Sequence, residues 1–247
     1  MSLLNVLSSM NILVGTSGWS YKEWKGNFYP LKLAADEMLR FYSSRFPTVE
    51  VNNSFYRTPS ERVLLGWADQ VSPGFRFVLK ASRRITHNNR LRDEDGSLGY
   101  FLRAVNPLRP LLGPTLFQLP PTFEKDLSRL EAFLTALPRR WIAAIEFRHP
   151  SWFADDVCEL LRSRDIALVT VDEDGAEGTE APLISTASWG YLRLRRSAYD
   201  LPALRTWAER IRQQNWTDAY VFLKHEDGSP VGPASAEALS QLICDPA

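Results

Sequence analysis

The stretch Ile142-Ala143-Ala144-Ile145-Glu146-Phe147-Arg148 decides how the chain is read. Side chains alternate along a strand, so residues spaced by two share a face. Ile145 and Phe147 then form an apolar face, and Glu146 and Arg148 lie on the other. A parallel strand covered by helices reads as a nearly continuous aliphatic run. This one begins as such a run and turns charged at its carboxyl end. In a barrel one strand face meets the surrounding helices and the other points to the axis, which places Glu146 and Arg148 inside.

The pattern recurs along the chain. Short β-like runs are expected at 12–16, 48–52, 75–80, 115–118, 142–148, 166–172, 191–195 and 219–224. Helical spacing fills most of the intervals. Leu64, Trp67, Ala68 and Val71 form one stripe, with Ser60 placed as its N-cap. Leu127, Leu130, Leu134 and Leu137 form a second, stopped by Pro138. Leu204, Trp207, Ala208 and Ile211 repeat the spacing, and Ser235, Leu239 and Leu242 make a weaker last helix after Pro233. Strand and helix in alternation predict an α/β fold with a parallel sheet, here a (β/α)8 TIM-type barrel.

One interval breaks the rhythm. Residues 173–188 are acidic, contain glycine and have no helical period, so the sixth helix is expected to be missing or degenerate. A doubly wound open sheet is the alternative. It calls for fewer strands and a Gly-rich phosphate turn opening a helix. Gly15-Thr16-Ser17-Gly18 is followed instead by aromatic residues, which favours the barrel. A chain of 247 residues suits one such barrel over 11–247, preceded by a flexible tail over 1–10.

Lys plus Arg and Asp plus Glu number 29 each. That balance argues against a surface built as a whole to grip nucleic acid or an anionic membrane, while leaving room for a local basic patch. Cys158 and Cys244 stand far apart without metal-ligand spacing, which fits a reducing cytoplasm. No apolar run approaches the roughly 20 residues of a membrane span. The opening Met1–Met10 lacks the basic flank of a signal peptide, and Met10 is an alternative start.

Applied to every strand, the alternation turns Glu50, Asn52, Lys80, Gln118, Glu146, Arg148, Asp172, Arg193, Arg195 and Lys224 inward. Seven of the eight runs turn polar at their carboxyl ends, the end where barrels of this type carry their sites. Buried ionised groups are costly unless paired or wetted, so a shared mouth is the economical arrangement. Five cations and three acids leave two positive charges in excess, which favours an anion. An internal ion-pair network that only plugs the barrel is the bland alternative.

At this point the residues resemble the YecE-like family of barrel proteins. The resemblance rests on Gly15-Thr16-Ser17-Gly18-Trp19-Ser20-Tyr21 with Trp24, Gly26 and Phe28-Tyr29-Pro30, and on Glu50-Val51-Asn52-Asn53-Ser54-Phe55-Tyr56. It continues through Lys80-Ala81 with Thr86-His87, Gln118-Leu119-Pro120-Pro121, and Glu146-Phe147-Arg148-His149-Pro150-Ser151-Trp152. It implies a β/α barrel and a pocket, and no reaction, because the family is a domain of unknown function. Where the family often shows His-Gly after strand seven and paired Asn after strand eight, this chain has Arg195-Arg196 and Lys224-His225-Glu226-Asp227. That difference points to a subgroup with a more charged pocket wall.

His87, His149 and His225 each follow a strand end. His225 with Glu226, or His149 with Glu146, suits general acid–base work or a divalent metal, although no HExxH-like spacing is present. Ordinary hydrogen-bonded loop histidines are the alternative, and no cofactor is called for. Trp19, Tyr21, Trp24, Phe55, Tyr56 and Trp152 either stack a ligand or roof the barrel. The loop 83–97, with Arg83, Arg84, Arg90 and Arg92, is a lid, a nucleic-acid contact or a solvated loop.

Two functions follow. The first is an enzyme acting on a small phosphorylated or carboxylated metabolite by hydrolase, lyase or isomerase chemistry. Glu50, Glu146 and His225 are its catalytic candidates. Asn52, Tyr56, Lys80, Gln118, Arg148, Asp172, Arg193, Arg195, Lys224, Trp19 and Trp152 are its binding candidates. The second is a nucleic-acid or nucleotide-binding protein using the Arg-rich loop and aromatic stacking.

Overall fold

A computed structural model describes residues 10–174, 183–224 and 231–244. Among these residues nine strands form one sheet: β1 Asn11–Ser17, β2 Thr48–Val51, β3 Arg76–Lys80, β4 Leu112–Gln118, β5 Ala143–Glu146, β6 Ala167–Leu168, β7 Thr170–Asp172, β8 Gly190–Leu194 and β9 Asp218–Leu223. All pairings are parallel, in the order β6-β5-β4-β3-β2-β1-β9-β8-β7. The two ends of that order, β6 and β7, are separated in the chain by Val169 alone. The result is a near-closed parallel α/β barrel of nine strands, where eight runs were expected.

The extra strand has a local cause. The run expected at 166–172 pairs with β5 through its first half and with β8 through its second. Val169 N–H still donates to the Ile145 carbonyl at 2.9 Å. On the other side, β8 begins only at Gly190, leaving the backbone of β6 without a neighbour there. The Thr186 hydroxyl takes that place: it accepts from Leu168 N at 2.7 Å and donates to the Ile166 carbonyl at 2.8 Å. Buried backbone groups need such partners.

Helices follow the strands: α1 Met38–Ser43, α2 Glu61–Ala68, α3 Ser97–Ala104, α4 Leu127–Ala136, α5 Asp155–Arg162, α6 Leu201–Arg212 and α7 Val231–Cys244. Ser60 occupies the N-cap position of α2 without a side-chain bond, whereas Asp126 and Asp200 cap α4 and α6 by accepting from Arg129 N and Ala203 N. All four residues of the α6 stripe are buried. α4 ends at Ala136 with Leu137 as its C-cap, just before Pro138, and α7 starts two residues ahead of Pro233 instead of after it. Between β7 and β8 the described residues 173–174 and 183–189 contain no helix.

Two apolar layers result from strand alternation. Val49, Val51, Ile145, Leu192, Leu194, Val221 and Leu223 face the helices. Leu13, Val78, Leu116, Ala144, Ala167, Val169, Tyr191, Tyr220 and Phe222 pack together on the inner face. Burying each large aliphatic group contributes about 1.5–3 kcal/mol. The inner layer fills the amino-terminal part of the barrel, so the polar residues stand above it, toward the carboxyl ends of the strands.

Gly15 explains the first motif. A Cβ there would sit 2.1 Å from the Thr48 carbonyl oxygen, so glycine is what lets β1 approach β2. The Tyr42 hydroxyl, carried on α1, then accepts from Thr16 N at 2.8 Å and donates to the Thr48 carbonyl at 3.0 Å, tying the helix to both strands. Gly18 turns the chain with a φ of 97°, which only glycine adopts without strain.

Candidate functional site

Directly above the inner apolar layer lies a charged one. Glu50, Glu146 and Arg193 are 0%, 1% and 3% exposed. Arg193 Nη2 donates to Glu50 Oε1 at 2.8 Å and Nη1 donates to Glu146 Oε2 at 2.6 Å. Both acids accept further hydrogen bonds. Ser17 Oγ and Asn52 Nδ2 donate to Glu50 Oε1 at 2.9 and 3.1 Å, and the Tyr191 hydroxyl donates to Oε2 at 2.7 Å. Gln118 Nε2 and Arg148 Nε donate to Glu146 Oε1 at 2.7 and 2.9 Å.

A cavity of about 520 Å³ opens over this layer. Lys80, Arg83, Arg148, Arg193, Arg195 and Lys224 line it, together with Ser17, Asn52 and Gln118. Tyr21, Phe55, Tyr56 and His87 form its aromatic rim. Lys80 Nζ sits 4.3 Å from the centre of the Phe55 ring and makes no ion pair among the described residues. Arg195 comes no nearer than 3.9 Å to Glu173, and its buried Nη1 has no hydrogen-bond acceptor among the described residues.

The charges shape one another. Burial opposes ionisation of Glu146, yet Arg193 and Arg148 outweigh it and pull the carboxyl down to about 2. Burial likewise opposes ionisation of Glu50, and Arg193 with the Tyr191 hydrogen bond reverses the effect, holding it below the usual range. Lys80 moves the other way: burial first, then the nearby Arg193, bring its ammonium down to about 8 against the pull of both glutamates. Burial and the Lys80 charge also lower His87. These directions follow from desolvation and neighbouring charge.

The sequence profile described as "Protein of unknown function DUF72" matches residues 13–245. The chain belongs to the DUF72 family. It is 35% identical over 144 residues to the UPF0759 protein YecE of Escherichia coli (strain K12), covering 58% of this chain and 50% of that protein. It is 30% identical over 157 residues to the UPF0759 protein YunF of Bacillus subtilis (strain 168), covering 58% and 52%. The DUF72 chain thus spans about half the length of the curated relatives it matches. Among solved structures, a DUF72 family protein from Thermotoga maritima MSB8 superimposes with a TM-score of 0.85 at 27% identity, covering 95% of this chain and 100% of that one. A DUF72 family protein from Enterococcus faecalis V583, at 19% identity and a TM-score of 0.76, covers 96% of each chain and shares the fold.

Set against the sequence expectations, the DUF72 site gathers Glu50, Asn52, Lys80, Gln118, Glu146, Arg148, Arg193, Arg195, Lys224 and Tyr56 at one mouth. Asp172 does not join them. Its carboxylate turns outward to α6, accepting from Trp207 Nε1 at 3.0 Å, the Tyr199 hydroxyl at 3.0 Å and Arg196 Nε at 2.8 Å. In this strand Ala167, Val169 and Val171 take the inner face and Thr170 and Asp172 share the outer one, where α6 supplies the carboxylate with a donor, so the expectation that polar residues look inward fails here. Trp152 is also absent from the mouth; it is buried, stacked on Phe147 with ring centres 4.6 Å apart, and donates to the Phe123 carbonyl. Trp19 lines a separate cavity of about 350 Å³ beside Trp67.

His149 pairs with Ser151 outside the cavity, and His225 lies outside the described residues. Among the described residues no three His, Cys, Asp or Glu side chains gather as metal ligands, and no helix is long and apolar enough to cross a membrane. In the loop 83–97, Arg84 pairs with Asp95 and Arg90 reaches Thr122, while Arg83 faces the cavity. Sequence reasoning missed Ser17 and Tyr191. Both share the inward parity of their strands, and extending the spacing of two back from Arg193 would have reached Tyr191.

Proposed function

We propose that this cavity binds a small phosphorylated or carboxylated metabolite and is the site of an enzyme. Arg195 carries the proposal. Its guanidinium lies in the cavity wall with Nη1 buried and without a hydrogen-bond acceptor among the described residues, Glu173 standing 3.9 Å away, and a buried donor left without an acceptor is costly. An anionic oxygen in the cavity would relieve that cost. The charge balance supports the same ligand class: six cations line the cavity over two carboxylates, both already engaged.

In this scheme Glu50 and Glu146 are positioning residues. Every oxygen of each already accepts a hydrogen bond from Arg193 or its neighbours, which leaves neither suited to take a proton. They hold Arg193 upright, and Arg148, Arg195 and Lys80 face the ligand. The nucleic-acid alternative has less support, because Arg84 is paired with an acid and Arg90 leans on Phe123.

We also treat Ala167–Leu168 and Thr170–Asp172 as one strand interrupted at Val169, which makes the fold an eight-stranded (β/α)8 barrel in a single domain. A cytoplasmic location suits the two free cysteines, Cys158 and Cys244.

Thermal-shift titration tests the site. Inorganic phosphate and small carboxylated and phosphorylated metabolites should raise the melting temperature of the wild type and not of Arg195→Gln. No stabilisation of the wild type by any of them would overturn the proposal. Binding of DNA or RNA with a steep loss in salt would favour the alternative.

A further inference from the structure

We infer that Lys80 is the nucleophile of this site and condenses with a small aldehyde or ketone that carries a carboxylate or phosphate, forming an imine. The inference rests on the anion-binding function proposed above and names the substrate class.

Its basis is where Lys80 stands. It ends β3 on the inner face and opens into the cavity. Its Nζ lies over the Phe55 ring at 4.3 Å, and the His87 ring meets the same phenyl group with centres 4.9 Å apart. The charged groups facing it are Glu50 from β2, Glu146 and Arg148 from the end of β5, and Arg193 from β8. Both glutamates are committed to Arg193, so Lys80 has no acid of its own among the described residues. An amine against an aromatic face, beside arginines and with both nearby carboxylates paired to one of them, is in an environment that favours a neutral nucleophile. The lowering of its ammonium to about 8 agrees with that geometry.

The chemistry balances without an oxidant or reductant. The ammonium gives up a proton, and the freed nitrogen lone pair adds to the carbonyl carbon as the C=O π pair moves to oxygen. Oxygen takes that proton and then a second one from nitrogen and leaves as water. A C=N bond remains, protonated on nitrogen. One ammonium and one carbonyl yield one iminium and one water. His87, on the same wall, is placed to carry the proton. Arg148 and Arg195 would hold the anionic group of the substrate while the iminium draws electrons from the adjacent bond.

Trapping tests this directly. The full chain is incubated with pyruvate or with dihydroxyacetone phosphate, reduced with sodium borohydride, and analysed by intact mass and peptide mapping. One reduced adduct per chain on Lys80, with either probe, is the expected result, and the two arms tell a carboxylate from a phosphate preference. Lys80→Met and Lys80→Arg should abolish the adduct, with circular dichroism confirming that each is folded. An adduct on Lys224 or scattered over surface lysines, or one that persists in a folded Lys80 variant, overturns the inference. Thermal shift with inorganic phosphate separates the two levels. Stabilisation by phosphate without trapping removes the imine and leaves the anion site standing. Neither stabilisation nor trapping removes both.

Discussion

Arg193 Nη2 meets Glu50 Oε1 at 2.8 Å across the barrel, between residues 143 positions apart in the chain. The other arm of the same guanidinium holds Glu146, so one cation joins β2, β5 and β8 beneath the cavity. A buried pair of this kind adds little over a well-packed apolar substitute, whereas breaking it by removing one partner is strongly destabilising.

Arg193→Met should therefore lower unfolding free energy by about 3–5 kcal/mol, read by urea denaturation at neutral pH. Adding Glu50→Gln and Glu146→Gln should recover much of that loss, because no unpaired charge remains. A single variant as stable as the wild type would show that the network does not hold the barrel together.

Acid should weaken the same network. The Glu146 carboxyl is held down to about 2 from an ordinary 4.5, so between those values the unfolded chain binds the extra proton. Its contribution is complete above about pH 4.5 and is lost as pH falls toward 2, an effect on the order of a few kcal/mol. Glu146→Gln should flatten stability against pH in that window, followed by denaturation at successive pH values. An unchanged slope would count against the pairing.

Removing Arg195 should separate binding from folding. Charged hydrogen bonds are worth about 1.5–3 kcal/mol, so Arg195→Gln should weaken phosphate binding by roughly 10- to 100-fold. Burial and Arg193 both act against this cation, so the variant should melt no lower than the wild type. Calorimetric titration and thermal melting together check both halves.

Asp172 offers the opposite outcome. Asp172→Ala strips acceptors from Trp207, Tyr199 and Arg196 and should destabilise by about 1–3 kcal/mol. Phosphate affinity should stay at the wild-type value because the side chain faces α6. A selective loss of binding would place this acid in the cavity after all.

Gly15→Ala drives a methyl group to 2.1 Å from the Thr48 carbonyl oxygen. Overpacking against backbone should cost about 3 kcal/mol or more, measured by denaturant midpoint. A near-neutral result would mean that β1 and β2 are not in such close contact.

The strands and their facing were set by the local chain. Val49 and Val51 against Glu50, Leu192 and Leu194 against Arg193, and Ile145 and Phe147 against Glu146 each state their orientation within a few residues, because alternation is a property of one strand. Around Val169 the inner face is apolar and the outer one carries Thr170 and Asp172, so polarity there points outward, toward partners on and before α6 that lie far along the chain. The partners of each charge were decided only by the closed sheet. Nothing near Glu50 in sequence announces Arg193 or Tyr191, and nothing near Lys80 says that both glutamates are already taken. Closure brings β2, β5 and β8 to one axis. Distance then determines which carboxylates are spent in pairing and which cations stay open to a ligand.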